Sequence, residues 1–250
     1  MTKNIRLAGF GFAFLATLML GGATGAGTLI DIETGAVFSG YNDVRIPGKG
    51  GTLFSLSREL SSDPVAYGRL RAGHCFGGRH TVSVLAAPLR IRASGRSASA
   101  IVYAGQTFSA HTELSSHYRF DSYRITYRWD PLRRERLTAG FGFTAKIRDA
   151  SISLEGGGRT SVKKNTGFVP ILNFRLAWRP VGRLTTLFEG DALAAPQGRA
   201  EDVFAGAAYR LGKRVSLKAG YRILEGGADN DEVYTFSLFH YAALGAVIEL

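Results

Sequence analysis

The stretch Leu137–Arg148, LTAGFGFTAKIR, decides the fold. Every second residue, from its first leucine to Ile147, is apolar. The residues between them are small or polar and end in Lys146 and Arg148. Successive side chains of a β-strand point to opposite faces, whereas a helix repeats about every 3.6 residues. The stretch therefore predicts a strand with one face towards lipid and the other towards a polar interior.

The same two-residue period recurs along the chain and predicts about ten strands. Four short connections alternate with five longer ones, so short turns gather at one end and long loops at the other. We therefore predict an all-β fold, a transmembrane antiparallel up-and-down β-barrel. If residues 51–60 form a membrane strand with an unrecognised partner, the count becomes twelve. The predicted strands are 29–41, 66–75, 80–90, 115–129, 136–148, 166–178, 183–193, 201–211, 214–225 and 232–250.

The N-terminus predicts export. Lys3 and Arg6 precede an apolar run from Leu7 to Leu20, which small residues follow. The run of about 14 residues is too short to span a bilayer as a helix, which needs about 20. This is the pattern of a secretory signal peptide cleaved after Ala26. We expect residues 1–26 to be the signal and 27–250 to be a barrel in the cell outer membrane.

Charge narrows the class of partner. The net charge of +11 falls to +9 without Lys3 and Arg6. An exported protein rarely meets nucleic acid, so we expect none as a partner. Lipopolysaccharide phosphates and small anionic solutes are the counter-charges that we expect instead. Cys75 is the only cysteine, so the chain forms no intramolecular disulfide.

Taken together, the alternating strands and the rhythm of turns and loops resemble those of bacterial outer-membrane β-barrel proteins. The resemblance covers the whole chain after the signal and rests on pattern rather than on a motif. It implies contact with outer-membrane lipid and a monomeric barrel. A soluble periplasmic β-sandwich is the structural alternative.

The alternation of side chains along each strand predicts that many charged residues point into the barrel. Eight strands enclose a space that side chains just fill, and open aqueous channels are typical of 16 to 18 strands. A ten-stranded lumen with many long cations is therefore expected to be narrow or filled. The inward cations are Arg69, Arg71, Arg124, Arg128, Lys146, Arg148, Arg175, Arg179, Arg183, Arg210, Lys218 and Arg222. The inward acids are Asp31, Glu33, Glu189, Asp191, Asp202 and Glu249.

Three of these acids are predicted to cluster. Glu189 and Asp191 share a face of one strand, and Asp202 faces them across a hairpin. Clustered carboxylates repel each other unless cations lie among them, so we expect a lumen charge network. A catalytic acid/base pair is the alternative. The expected partners are Arg124, Arg175 and Arg222.

Two enzyme families offer comparisons. The omptins, outer-membrane proteases, use an Asp/His pair with a second pair of aspartates, and His117 and Asp121 share a strand face. That face also carries the lipid-facing Tyr123, and no second aspartate pair accompanies it. The order Glu113, Ser115, His117 resembles the Ser-His-Glu set of outer-membrane lipid A deacylases, but spacing along one strand gives poor hydrogen-bond reach. These residues are weak catalytic candidates.

The expected role is therefore structural or binding, with restricted passage of small solutes. A narrow anion-preferring channel and a hydrolase directed at lipid A or peptides are the alternatives, and we expect a non-enzyme. No metal site or cofactor is expected, although the acidic run from Asp229 could collect Ca²⁺. The cations expected to bind lipopolysaccharide are Arg92, Arg96, Arg159, Lys163 and Lys164.

Overall fold

The structure, a computed structural model, describes residues 27–250 apart from Gln197. The predicted signal peptide, 1–26, lies outside the described residues. Among those residues, no helix is long and apolar enough to cross a membrane. The strands are β1 (Gly27–Arg45), β2 (Phe54–Ser55), β3 (Leu60–Ser61), β4 (Val65–Phe76), β5 (His80–Arg96), β6 (Ile101–Tyr103), β7 (Gln106–Phe108), β8 (Glu113–Arg133), β9 (Leu137–Gly156), β10 (Arg159–Val181), β11 (Leu184–Ala195), β12 (Gly198–Arg210), β13 (Val215–Asp229) and β14 (Tyr234–Glu249).

Ten long strands form one closed antiparallel barrel. Each pairs with its neighbour in chain order, and β1 pairs with β14 to close the sheet. That closure runs from Leu29 opposite Glu249 to Arg45 opposite Tyr234. The predicted ten-stranded barrel is confirmed, and the β-sandwich alternative is wrong.

The outer surface carries the apolar belt that parity predicted. On β9, Phe143 is 66% exposed while its neighbour Thr144, which points inward, is 1% exposed. An apolar exterior around a polar interior reverses the order of a soluble protein and suits a surrounding lipid phase. The belt includes Ile32, Leu70, Tyr123, Ile125, Tyr127, Trp129, Phe141, Ile147, Phe168, Leu172, Leu176, Trp178, Phe188, Tyr209, Leu217, Tyr221 and Leu244.

The strands run far beyond that belt. With 21 residues, β8 spans about 50 Å even when it is tilted by about 45°, against about 25 Å for a typical lipid-facing band. Several predicted loops are therefore strands. The predicted connection 149–165 is instead a hairpin of β9 and β10, which turns at Gly157 and Gly158 with φ of 57° and 74°. Glycine adopts this left-handed conformation without steric cost.

The twelve-strand alternative is wrong. Within 51–60, only Phe54 and Ser55 pair with β1, and Leu60 begins the two-residue β3 on β5. Such short pieces do not cross a membrane, which takes about 9–11 residues. They belong to the segment 46–64, which pairs along the edges of β1 and β5 at one end of the barrel and buries Phe54, Leu56 and Leu60.

We call the end of the barrel that holds the chain termini and the four short turns the turn end, and the opposite end the loop end. Outer-membrane barrels keep short turns in the periplasm and longer loops outside. At the loop end, the β6–β7 hairpin lies against segment 46–64, since the Ala104 amide donates to the Ile46 carbonyl at 2.7 Å. The buried Tyr103 hydroxyl donates to the Ile152 carbonyl of β9 at 2.9 Å. Burial raises the pKa of Tyr103, so its phenol remains a neutral donor.

Candidate functional site

A buried network of eight charged side chains crosses the middle of the barrel, and we call it the central network. Its four positive and four negative charges neutralise each other, because each cation is paired with carboxylates of the same network. Six of its eight ion pairs join strands that are not neighbours in the sheet, so the network braces different parts of the barrel wall against each other. Its cations are Arg69, Arg124, Lys218 and Arg222, and its acids are Asp31, Glu33, Asp191 and Asp202.

Asp202 is the hub of the central network. Its Oδ2 accepts from Arg69 Nη2 at 2.9 Å and from Arg124 Nη2 at 2.5 Å. Its Oδ1 accepts from Arg222 Nη1 at 2.6 Å. Three guanidinium groups from β4, β8 and β13 thus meet on one carboxylate of β12. The geometry is that of strong charge-assisted hydrogen bonds.

Glu33 forms a second centre. Arg222 donates to both of its oxygens, from Nε and Nη2, each at 2.7 Å. Lys218 Nζ lies 3.0 Å from Oε2, and the Tyr67 hydroxyl donates to Oε1 at 3.1 Å. A carboxylate that is 3% exposed needs such a complement of donors, because a buried charge without partners is costly.

Asp191 completes the network on β11. Arg124 Nη1 donates to its Oδ2 at 2.6 Å. Its Oδ1 accepts from the Thr144 hydroxyl at 2.6 Å and from Asn173 Nδ2 at 2.9 Å. Arg124 thus pairs with both Asp191 and Asp202, and Arg222 pairs with Asp202. Strand parity had placed all four side chains on the inward face.

Several other predicted lumen residues lie towards the turn end. Arg175 pairs with Glu189 at 3.5 Å, and Arg128 donates to Asp130 at 2.9 Å. Arg71, Arg128, Arg175 and Glu189 line a small cavity of about 90 Å³. Asp191 and Asp202 line it too, but they share Arg124, whereas Glu189 pairs with Arg175. The cause is register, since Glu189 lies opposite Phe204 rather than Asp202.

Sequence reasoning missed two aromatic groups that fill the lumen. Phe204 is fully buried, with Lys218 Nζ 5.1 Å and the Arg222 guanidinium carbon 5.2 Å from its ring centroid. Tyr67 and Tyr241 meet edge-on, with ring centroids 4.8 Å apart. Parity already placed Phe204 on the inward face with Asp202, so the signal was present.

Above the central network, a cavity of about 1040 Å³ opens at the loop end, and we call it the outer cavity. Glu33 and Arg69 line neither the outer nor the small cavity. The other six members of the central network line the small cavity, and none lines the outer cavity, so the network lies between the two spaces. The walls of the outer cavity are partly aromatic and aliphatic, and include Tyr118, Phe120, Phe168, Val169, Leu193 and Phe239.

Lys146 lies in the wall of the outer cavity, not within the central network. It is 3% exposed, and its Nζ lies 5.0 Å from the centroid of the Phe120 ring. Among the described residues, no carboxylate forms an ion pair with it. It therefore differs from the cations of the central network, with which the sequence had grouped it.

The catalytic candidates do not converge on a site. Ser115, His117 and Asp121 all point out of the barrel, on the same face of β8 as the exposed Tyr123. Asp121 is engaged there by Arg90, whose Nη2 donates to Oδ2 at 2.8 Å. The structure thus gives no pocket to this set.

The cations expected to meet lipopolysaccharide are scattered over the loop end. Arg96 lies 3.5 Å from Glu113, and Lys163 lies 3.6 Å from Glu232. Arg159 donates to the Thr107 carbonyl. Arg92 and Lys164 are exposed on the outer face. Among residues 27–250 without Gln197, no group of three or more His, Cys, Asp or Glu could hold a metal ion.

Comparison with known proteins identifies the fold. No protein-family model matches the chain, and no curated protein matches its sequence. The outer-membrane protease OmpT from Escherichia coli matches with a TM-score of 0.59 at 9% identity, over 90% of this chain and 97% of that chain. The transport unit of the autotransporter AIDA-I from Escherichia coli has a TM-score of 0.46 at 7% identity, over 89% of this chain and 90% of that chain. Ail of Yersinia pestis has a TM-score of 0.40 at 11% identity, over 89% and 99%.

At these identities the likeness is one of fold alone. The chain has the fold of a bacterial outer-membrane β-barrel.

Proposed function

We propose that this protein is a ligand-binding barrel of the outer membrane whose lumen is closed to solutes. The observation that carries the proposal is the central network, which fills the section between the small cavity and the outer cavity. Of these two cavities among the described residues, the outer one, of about 1040 Å³ at the loop end, offers space for a small molecule, whereas the small one holds about 90 Å³.

The central network disfavours the narrow anion channel. A permeating anion would have to displace carboxylates from Arg69, Arg124 and Arg222, each of which holds Asp202 at 2.9 Å or less. Conduction requires sites that bind ions weakly enough to release them. Guanidinium groups already bound to buried carboxylates do not provide such sites.

The hydrolase alternative has less support. Ser115, His117 and Asp121 point towards lipid or headgroups rather than into the outer cavity. A nucleophile and its base must come within hydrogen-bond reach beside a bound substrate. The outward Asp121 instead accepts from Arg90.

Lipopolysaccharide remains a proposed partner on the outside of the barrel. Arg92 points outward on β5 and forms no ion pair among the described residues, whereas the outward Arg90 and Arg119 beside it pair with Asp121 and Asp149. Guanidinium groups directly above an apolar belt are positioned for lipid phosphates, which arginine binds in bidentate fashion.

Single-channel recording of the refolded protein in a planar bilayer tests the closed lumen. The protein should insert without current steps. The double variant Arg124→Ala/Asp202→Ala removes one cation and one acid from the central network, keeps the net charge, and should produce steps. Arg90→Ala/Asp121→Ala removes an equal pair from the outer face and should stay silent. Steps from the unaltered protein would overturn the proposal.

A further inference from the structure

The outer cavity is lined by two cations, Lys146 and Arg148, that form no ion pair with any carboxylate of the described residues. We propose that it binds a small amphipathic anion, an apolar body with one anionic head group, and that Lys146 and Arg148 hold the head. This inference rests on the proposed function, because it assigns a ligand class to the same cavity.

The other charges that line the outer cavity neutralise each other or a neighbour. Arg199 Nη2 lies 2.7 Å from Glu225, and Lys163 lies 3.6 Å from Glu232. Asp231 lies 2.8 Å from Lys49. After this pairing, the wall is left with an excess of positive charge at Lys146 and Arg148.

Of these two cations, Lys146 gives the stronger evidence for an anion site. It is 3% exposed, lines the outer cavity, and lies opposite another cation, Arg124, across the β8–β9 ladder. Arg124 forms ion pairs with Asp191 and Asp202, whereas Lys146 forms none among the described residues and has its Nζ over the face of the Phe120 ring. A buried ammonium without a counter-charge is costly, so an anion that reaches it from the cavity gains more than it would at an exposed lysine.

Arg148 lies next along the inward face of β9 and supplies a second donor. Its Nη2 donates to the Asn165 side-chain oxygen, and its Nε is buried without any hydrogen-bond partner. A buried donor without a hydrogen bond costs free energy, and a ligand atom that accepts from it removes that cost. Both side chains line the outer cavity, so one anionic head can meet both.

The walls around these cations suit an apolar body. Phe120, Val169 and Leu193 line the outer cavity, together with Tyr118 and Phe239. Ligand pockets of about 300–1,000 Å³ with mostly apolar walls and a few placed polar groups are typical for small molecules. An inorganic anion would leave these walls in contact with water, whereas an amphipathic anion covers them.

A break in the barrel wall extends the apolar path to lipid. The β10–β11 ladder ends at Leu172 opposite Ala192, although β10 continues to Arg159 at the loop end. Phe168 and Pro170 lie on the outward face of β10, and Val169 between them lies on the inward face, yet all three line the outer cavity. The cavity therefore reaches around the free edge of β10, where the apolar body of a ligand can meet the membrane.

Binding of octanoate to the full-length barrel in phosphatidylcholine nanodiscs tests the inference. Equilibrium dialysis of radiolabelled octanoate, with empty nanodiscs subtracted, should show saturable binding to the protein. Lys146→Met should weaken that binding at least about tenfold, which is the effect of losing about 1.4 kcal/mol. Lys146→Arg should retain most of it, because the positive charge is kept.

Matched variants and probes separate the contribution of the anionic head group to binding from that of the apolar chain. Lys164→Met removes one lysine from the outer face of β10 and should leave octanoate binding unchanged. Octan-1-ol, which has the same chain without the charge, should bind the protein and the Lys146→Met variant alike. Arg148→Gln gives an independent variant if Lys146→Met does not fold, as judged by the heat-shift of the barrel on a gel.

The same nanodiscs distinguish two sources of the anion. If phosphatidylglycerol in the disc lowers octanoate affinity for the unaltered protein but not for Lys146→Met, the head group of an anionic lipid is a ligand. If it does not, the ligand is a free amphipathic anion. Both results keep the proposed chemistry.

The two proposals fail separately. The ligand class is overturned if the barrel shows no saturable octanoate binding, or if Lys146→Met and Arg148→Gln leave that binding intact. If the same barrel gives no current steps in the planar bilayer, the closed lumen still holds. Current steps together with lysine-dependent octanoate binding overturn the closed lumen and keep the ligand class.

Discussion

Asp191 and Asp202 lie directly opposite each other across the β11–β12 ladder, and both carboxylates are buried. Like charges at opposed positions destabilise a sheet. Arg124 reaches them from β8, which is not a neighbour of either strand, with Nη1 at 2.6 Å from Asp191 and Nη2 at 2.5 Å from Asp202. Arg124 thus offsets the repulsion between the two carboxylates and links their hairpin to β8 across the lumen.

Removal of that brace should be costly. We expect Arg124→Ala to lower the free energy of unfolding by about 3–5 kcal/mol, because it leaves two buried carboxylates opposed without their shared cation. The double variant Arg124→Ala/Asp191→Asn should recover part of the loss, since Asp202 keeps Arg69 and Arg222. Denaturant titration of the barrel in lipid vesicles measures both.

Arg90→Ala is the control for the brace. It also breaks an Arg–Asp pair, with Asp121, but the Arg90 side chain is 55% exposed, and the buried Asp121 keeps Arg119 at 3.6 Å. Because Arg90 is open to solvent and Asp121 keeps a cation, we expect a smaller loss than for Arg124→Ala. Equal losses from Arg124→Ala and Arg90→Ala would contradict the role assigned to the central network.

Glycine should be required where Phe204 fills the lumen. Gly206 and Gly220 lie opposite each other on β12 and β13, and a Cβ on either would come within 2.4–2.5 Å of a facing backbone carbonyl oxygen and 2.6–2.7 Å of the Phe204 ring. We expect Gly206→Ala to cost about 1–3 kcal/mol through overpacking, as measured by the same titration. Gly68→Ala, where a Cβ meets nothing within 4 Å, should change stability by less than about 0.5 kcal/mol. A similar cost at both positions would show that Phe204 does not depend on this space.

The free edge of β10 should be visible in hydrogen exchange. Between Arg159 and Ile171 the strand pairs with β9 alone, so about every second backbone amide points away from any strand partner. We expect those amides to exchange much faster than amides of Phe141–Lys146 on β9, which has partners on both sides. Exchange followed by mass spectrometry of the barrel in nanodiscs measures the difference. Uniform protection along β10 would mean that the wall is closed there.

The barrel was within reach of the sequence because lipid imposes a simple rule. Each membrane strand must place apolar residues on one side, so the period in Leu137–Arg148 reports both the strand and its two faces. The same rule gave the inward positions of Arg124, Asp191 and Asp202. The rule did not predict where the strands end, because beyond the belt both faces of a strand are polar. Residues 149–165 were therefore predicted to be a loop, although they pair as a hairpin.

By itself, then, the sequence determined the closed ten-stranded barrel and the inward set of charges, since alternation and turn spacing are local properties of the chain. Only the tertiary structure decided which charges neutralise each other. Whether a cation finds a carboxylate depends on register and on contact across the lumen, between strands distant in sequence. That is why Arg124 is part of the central network, while Lys146, opposite it on the next strand, is left facing the outer cavity.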